Sequence, residues 1–349
     1  MFEGKKIIIT GGTGSLGKVV VKRILSGEFG NPRKVIIFSR DEAKQHYMRV
    51  ELGYSEKTGD GVLFNNFSRS LEFRIGDIRD RAEVFNLVKD GEIIIHAAAM
   101  KQVPACEYFP YQSVLTNIIG AQNIVDAVNN TANEIETVVG ISTDKACKPV
   151  NVMGMTKSLQ ERIFTAANIS SKKAKFVGVR YGNVLASRGS VIPLFHDQLL
   201  NKLNLTITVP EMTRFLLTLS QATDTVFAAI KDSYPGEILV PNAPAASILN
   251  IANALIEHNG GNYVIKGIRP GEKLHELMVS EEECGHTVKR NDHYVIMPML
   301  PELINSNLLD EKNVLGKEFS SFDNLINYED TVDLLRINNI LKVKDSILI

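Results

Sequence analysis

Short apolar runs alternate with longer amphipathic stretches through the first half of the chain. Residues 6–10 form a compact apolar run that predicts a buried strand, and 16–25 carry helical spacing. The pattern repeats. Strands are predicted at 35–38, 71–75, 93–97, 138–142 and 176–179, with a polar helix at 41–52 and a longer helix at 155–167. Between them, 112–128 places Val114, Ile118, Ala121 and Val125 on one helical face. Strands that alternate with helices imply parallel βαβ units, hence an α/β fold with a doubly wound parallel sheet. The polar, glycine-bearing stretch 53–70 interrupts the rhythm and is expected as a surface insertion.

Past Tyr181 the rhythm changes. Glycine, proline and arginine clusters at 187–193, 208–214 and 268–273 break the chain into shorter segments. Three regions are expected: a doubly wound domain over 1–180, a smaller C-terminal lobe over 181–300, and a tail over 301–349. Residues 220–245, with a helical stretch at 221–231, are expected to pack back on the first domain. The tail, with one helix-like stretch at 328–341, is given no chemistry.

Bulk composition narrows the class. A chain of 349 residues can bury a large core, and a net charge of −1 without charge blocks predicts neither a nucleic-acid footprint nor a polybasic membrane anchor. Apolar runs fall well short of the roughly 18–20 residues of a membrane span, and no secretory segment is expected. Three widely spaced cysteines, Cys106, Cys147 and Cys284, exclude a fully paired disulfide framework and fit a reducing, cytoplasmic setting. The seven histidines show no ligand spacing with cysteines or acids, so no metal site is predicted.

The first candidate chemistry lies directly after the first strand. Thr10–Gly11–Gly12–Thr13–Gly14–Ser15–Leu16–Gly17 separates strand from helix. Glycines at 11, 14 and 17 allow a tight turn, close approach of backbone N–H groups to a pyrophosphate, and helix–strand packing. The helix N-terminus adds partial positive charge. This is a Rossmann-like signature. At the end of the second strand stand Ser39 and Arg40, with Lys44 a turn later. A guanidinium suits a 2′-phosphate, so NADP is favoured over NAD, although Asp41 could serve the ribose diol of NAD.

The G-x-x-G-x-x-G spacing resembles the extended short-chain dehydrogenase/reductase family, and further landmarks follow in order. Gly76–Asp77–Ile78 resembles the adenine-contacting turn, and His96–Ala97–Ala98–Ala99 the strand end under the cofactor. Asn117 falls where the family has a structural asparagine. The stretch Thr143–Asp144–Lys145–Ala146, Lys148–Pro149, Met153–Gly154 and Lys157 resembles the inverting UDP-N-acetylglucosamine 4,6-dehydratases and nearby capsule-synthesis enzymes. In the family a tyrosine stands four residues before the lysine; here that position is Met153, and a thioether is no useful proton acceptor. Three readings stay open. The chain is a silent dinucleotide-binding scaffold, Met153 is an ordinary core residue in a look-alike helix, or the site is active with another base: Lys157, Lys145, Asp144 or a water.

The resemblance implies roles for these side chains. Lys157 would anchor the nicotinamide ribose beside Tyr181. Lys145, made neutral by partial desolvation, would remove the carbon-5 proton. Asp144 would protonate the departing 6-hydroxyl, directly or through Thr143. Asn183, in Arg180–Tyr181–Gly182–Asn183–Val184, would meet the substrate diphosphate. Arg214 and Arg269 would grip phosphate, Glu272 would accept a ribose hydroxyl, and Lys101 would face the sugar. The expected activity is dehydration of UDP-N-acetylglucosamine with inversion at carbon 5 and scope for epimerisation at carbon 3, in an oligomer, for surface polysaccharide synthesis. A UDP-hexose 4-epimerase is the alternative enzyme; it has no leaving group to protonate and so no use for the Asp144–Lys145 pair.

Overall fold

The structure is a computed structural model that describes residues 1–53, 69–132, 134–171, 173–185, 190–268, 271–304 and 313–343. Most of the 53–70 insertion and Arg269 therefore lie outside the described residues.

Six strands, β1 (Lys6–Thr10), β2 (Lys34–Ser39), β3 (Leu71–Ile75), β4 (Ile93–His96), β5 (Thr137–Ile141) and β6 (Lys175–Val179), lie parallel in the order 3-2-1-4-5-6. Ile238–Pro241 extends the sheet in parallel beside β6, and the hairpin formed by Thr287–Arg290 and His293–Ile296 closes that edge antiparallel. Ile7–Ile9, Val35–Ile37 and Ile93–Ile95 are almost wholly buried because helices cover both faces. Each such side chain contributes about 1.5–3 kcal/mol on burial.

The return of 219–241 to the first domain has a clear cause. The helix Leu219–Asp232 starts in a capping box between Thr218 and Gln221 and packs on α1 (Ser15–Leu25). Arg23 of α1 bonds Asp224 at 2.6 Å and stacks over Phe227. Residues 287–296, placed by sequence in the second lobe, belong to the main sheet instead: alternating Val288 and Val295 are buried against it.

The second lobe is built from small pieces. Asn183–Val184, Thr213–Leu217 and Ala245–Ser247 form a three-stranded sheet, and Leu205–Ile207 pairs with Tyr263–Ile265. Leu277–Val279 pairs antiparallel with Phe319–Ser320, so the tail is stitched into this lobe. The tail helix Tyr328–Ile337 buries Leu335 with Ile251 and Leu255 of the helix Ile248–Asn259.

The predicted helix over 112–128 is three segments: Pro110–Ser113, a π-helical stretch Val114–Ile119, and Gly120–Asn130. The wide turn sets Asn117 inward. Its amide bonds both the N–H and the carbonyl of Met100, at 2.8 and 3.0 Å, and Thr156 Oγ1 at 2.9 Å. Insertions of this kind cluster at functional sites. Here one ties the loop after β4 to the helix Val152–Ser170.

Candidate active site

The C-terminal ends of β1, β2, β4 and β5 open into a cleft of about 1660 Å3 that runs between the two lobes. A single drug-sized ligand fills roughly 300–1,000 Å3, so this volume suits two ligands end to end. Gly11, Thr13, Gly14, Ser15, Leu16, Gly17, Ser39, Arg40, Lys44, Ile78, Ala97, Ala98 and Ala99 line one arm. Lys101, Thr143, Lys145, Met153, Lys157, Tyr181, Asn183, Arg214 and Glu272 line the rest.

The first arm fits a dinucleotide. Gly11 has φ +68°, and a Cβ there would stand 2.7 Å from the Ala98 nitrogen, so only glycine lets the loop cross the end of β4. No side chain caps α1, and its first turn holds no acid, which leaves the positive end of the helix unopposed. At the adenosine end, Asp41 accepts from the Lys44 N–H at 2.9 Å and pairs with Lys44 Nζ at 2.7 Å, as a helix-capping acid. Asp77 lies outside the cleft lining, gripped by the Arg79 guanidinium and 3.6 Å from Arg40. Both carboxylates near β2 are thus engaged by cations, while Arg40 is half exposed at the cleft edge.

At the other end of this arm, Lys157 is buried. Its Nζ donates to the Ile141 carbonyl and to Gln160 Oε1, both at 2.8 Å. Burial pushes its pKa down to about 8, with Glu161 opposing. Met153, one turn earlier on the same helix, is only 5% exposed yet borders the cleft. Asn151 starts that helix by accepting from the Gly154 N–H at 2.8 Å, which fixes where both side chains point.

Asp144 and Lys145 sit on a short 3₁₀ turn, Asp144–Ala146, directly after β5. Asp144 is fully buried behind the wall rather than in it. Its Oδ1 accepts from Thr143 Oγ1 at 2.8 Å and from Lys145 Nζ at 3.0 Å; its Oδ2 has no partner among the described residues. Burial pushes this carboxyl up, against the pull of Lys145. Lys145 also reaches Asn183 Oδ1 at 3.4 Å and Glu276 Oε1 at 3.3 Å. Desolvation alone would neutralise Lys145, but Asp144 and Glu276 outweigh it and hold the amine above its ordinary pKa. These two carboxylates thus favour the protonated amine, where partial desolvation alone had suggested a neutral one.

Two arginines are engaged within the protein. Arg214 is buried, and its guanidinium donates to the carbonyls of Thr213, Leu274 and Lys273, with Nε 3.7 Å from Glu276. It lends charge to the wall, but most of its fork is engaged. Arg180 lies wholly in the interior, bidentate to both Glu161 and Glu283. Tyr181 beside it is buried, which pushes its phenol far up.

Residues 7–298 match the family described as "Polysaccharide biosynthesis protein". The chain belongs to that family, within the extended short-chain dehydrogenase/reductases. A curated member from Campylobacter jejuni, named UDP-N-acetylglucosamine 4,6-dehydratase (inverting), is 40% identical over 91% of this chain and 90% of its own length. Another from Rickettsia bellii, named UDP-glucose 4-epimerase, is 41% identical over 85% and 84%. The X-ray structure of Pen from Bacillus thuringiensis superposes with a TM-score of 0.86 at 32% identity, covering 98% of this chain and all of the other. Family membership makes this chain an enzyme of nucleotide-sugar dehydratase or epimerase type.

Against that family frame, two participants escape sequence reading. Glu276 stands 131 residues after Lys145, and only its place shortly after Arg269–Pro270–Gly271–Glu272–Lys273 could have drawn attention to it. Ser321, in the tail, exchanges hydrogen bonds with the Glu276 backbone and has no motif around it at all. Among the described residues no cluster of acids, histidines or cysteines could hold a metal, and no helix is long and apolar enough to cross a membrane.

Proposed function

We propose that this enzyme is a UDP-N-acetylglucosamine 4,6-dehydratase that inverts carbon 5, uses NADP, and supplies sugars for surface polysaccharide. The observation that carries this reading is the Lys145 ammonium facing the cleft between two buried carboxylates, Asp144 and Glu276. An epimerase that only oxidises and re-reduces carbon 4 has no use for an acid–amine pair. The similarity to the inverting dehydratase of Campylobacter jejuni supports the same choice.

Gly11, the α1 N-terminus, Arg40 and Lys157 would hold the cofactor. When bound, NADP would accept hydride from carbon 4 as the 4-hydroxyl proton passes to Lys157, Lys145, Asp144 or a water, and its reduced form would return the hydride to carbon 6. A 4-ketone acidifies the carbon-5 proton, and the same effect at carbon 3 leaves room for a second epimerisation. Lys145 borders the cleft and takes the carbon-5 proton once its own extra proton has left. Asp144 has its carboxyl raised by burial, which suits it to carry a proton to the departing 6-hydroxyl once Lys145 is neutral. It delivers that proton through the Thr143 hydroxyl 2.8 Å away, because Thr143 and not Asp144 reaches the cleft. Reprotonation of carbon 5 on the opposite face gives inversion. Asn183, Lys101, Arg214 and Glu272 border the space left for the UDP-sugar, and Arg269 belongs to the same motif.

A second reading, a UDP-hexose 4-epimerase, is favoured by the 41% identity to the Rickettsia bellii protein. One experiment separates the readings: UDP-N-acetylglucosamine with the enzyme and NADP in deuterated water, followed by NMR. Deuterium at carbon 5 with a new 6-methyl signal is expected. A galacto-configured product without a methyl group establishes the epimerase, and tight cofactor binding without turnover establishes a scaffold. Lys145→Ala is expected to abolish carbon-5 exchange; retained exchange removes Lys145 from the mechanism.

A further inference from the structure

We propose that Glu276 is a positioning residue for Lys145, receiving the ammonium proton so that Lys145 can act as a base at carbon 5. This rests on the dehydratase reading.

Lys145 faces charge from each element around it. Asp144 lies on its own turn at 3.0 Å, Glu276 across the cleft floor at 3.3 Å, and Arg214 on the strand Thr213–Leu217. Lys273 adds positive charge near Glu276, and His275 is turned away onto Thr213 Oγ1 at 2.8 Å. The two carboxylates are not equivalent. Glu276 lines the cleft and Asp144 does not; burial pushes the Asp144 carboxyl up, whereas Lys145, Arg214 and Lys273 outweigh burial at Glu276 and hold it down. Asp144 Oδ1 already accepts from Thr143 Oγ1 as well as Lys145, while Glu276 meets Lys145 at 3.3 Å with its second oxygen unengaged among the described residues, so Glu276 is the carboxylate placed to take the proton.

Its surroundings fit that task. Glu276 is almost fully buried, with one carboxylate oxygen on Lys145 and the other, Oε2, without a partner among the described residues. A buried carboxylate oxygen lacking a donor is costly while ionised and much less so once protonated. The backbone is clamped: the Glu276 N–H donates to Ser321 Oγ at 3.0 Å, and the Ser321 N–H donates to the Glu276 carbonyl at 2.8 Å. The C-terminal tail thereby fixes the carboxylate against Lys145.

The proton balance is simple. One N–H bond of the Lys145 ammonium breaks and one O–H bond forms on Glu276, turning an ion pair into a neutral pair. Exclusion of water by a bound sugar favours this change, since desolvation penalises both charged forms. The Lys145 amine then forms an N–H bond with the carbon-5 proton, and the C–H electron pair passes into the 4-enolate.

The test compares carbon-5 deuterium exchange, by NMR with UDP-N-acetylglucosamine and NADP, in wild type, Glu276→Gln and Glu276→Asp between pH 6.5 and 9. Internal transfer makes the wild-type rate nearly flat in pH. In Glu276→Gln the proton must leave to solvent, so exchange falls at least about 100-fold at pH 7 and climbs about tenfold per pH unit. Glu276→Asp restores a flat profile at a reduced rate. Thermal unfolding and NADP titration check that each variant folds. A Glu276→Gln profile parallel to wild type, or an unreduced rate, overturns the role of Glu276. Should Glu276→Gln not fold, Glu276→Asp decides: a wild-type rate overturns the proposal. Absence of exchange in wild type instead overturns the dehydratase reading beneath it.

Discussion

Lys157 Nζ donates a 2.8 Å hydrogen bond to the Ile141 carbonyl, joining the helix Val152–Ser170 to the last residue of β5. This bond sets the amine one helical turn from Met153 and at the mouth of the dinucleotide arm. Lys157 and Met153 both border the cleft.

The depressed pKa of Lys157 has a thermodynamic consequence. Its folded value of about 8 lies below the unfolded value of about 10.4. Between these pH values the unfolded chain binds more protons, so this group's contribution to stability rises with pH; below pH 8 the full penalty of burying the charge remains. Denaturant unfolding of wild type and Lys157→Met at several pH values is expected to show a stability difference that shifts toward wild type by about 2–3 kcal/mol between pH 7.5 and 10.5. Parallel pH curves for the two proteins contradict the assignment.

Met153 is expected to contribute shape and no proton chemistry. Leucine conserves its volume closely and costs less than about 1.5 kcal/mol. Met153→Leu should therefore keep kcat within about threefold of wild type at saturating substrate. A loss beyond tenfold would mean that the sulfur itself takes part in the reaction.

Arg40 offers its guanidinium at the end of β2, where Asp41 and Asp77 are already engaged. Arg40→Ala should weaken NADP about tenfold or more, the size of a charge-assisted hydrogen bond, and leave NAD nearly unchanged. Titration of both dinucleotides measures this. Tighter binding of NAD than NADP by the wild-type protein reverses the cofactor assignment.

Arg180 is a structural cation. Replacing it with methionine strands Glu161 and Glu283 as buried anions and should cost about 3–5 kcal/mol. Burial raises the Glu283 pKa, but Arg180 outweighs burial and lowers it. That contribution is present above the unfolded carboxylate pKa and is lost as pH falls through the lower folded value. Acid unfolding of Arg180→Met should hence begin at higher pH than in wild type, and adding Glu161→Gln with Glu283→Gln should recover part of the loss. Equal acid midpoints would show that the triad is energetically neutral.

Where chemistry depends on neighbours in the chain, the sequence carried the information. The glycine loop between β1 and α1 is legible because φ +68° at Gly11 and the helix end that follows it are local properties. Thr143, Asp144 and Lys145 are consecutive, so a short 3₁₀ turn after β5 is enough to bring them together. Strand alternation likewise identified the parallel sheet. The segment 287–296 was placed in the wrong layer because a hairpin of four-residue strands has the same pattern in either lobe.

The electrostatics of the site needed tertiary structure as well. Desolvation of Lys145, considered from sequence, argued for a neutral amine; its neighbour Asp144 and, arriving from 131 residues away, Glu276 together raise its pKa. Arg180, given no role from sequence, proves to be an interior cation once Glu161 and Glu283 close around it. The tail resembled an inert appendage until Ser321 bonded to Glu276. Local pattern determines which residues a turn or helix can present. The partner of a buried charge is set by long-range packing, because in a medium of low dielectric its energy depends on which opposite charge stands within about 4 Å.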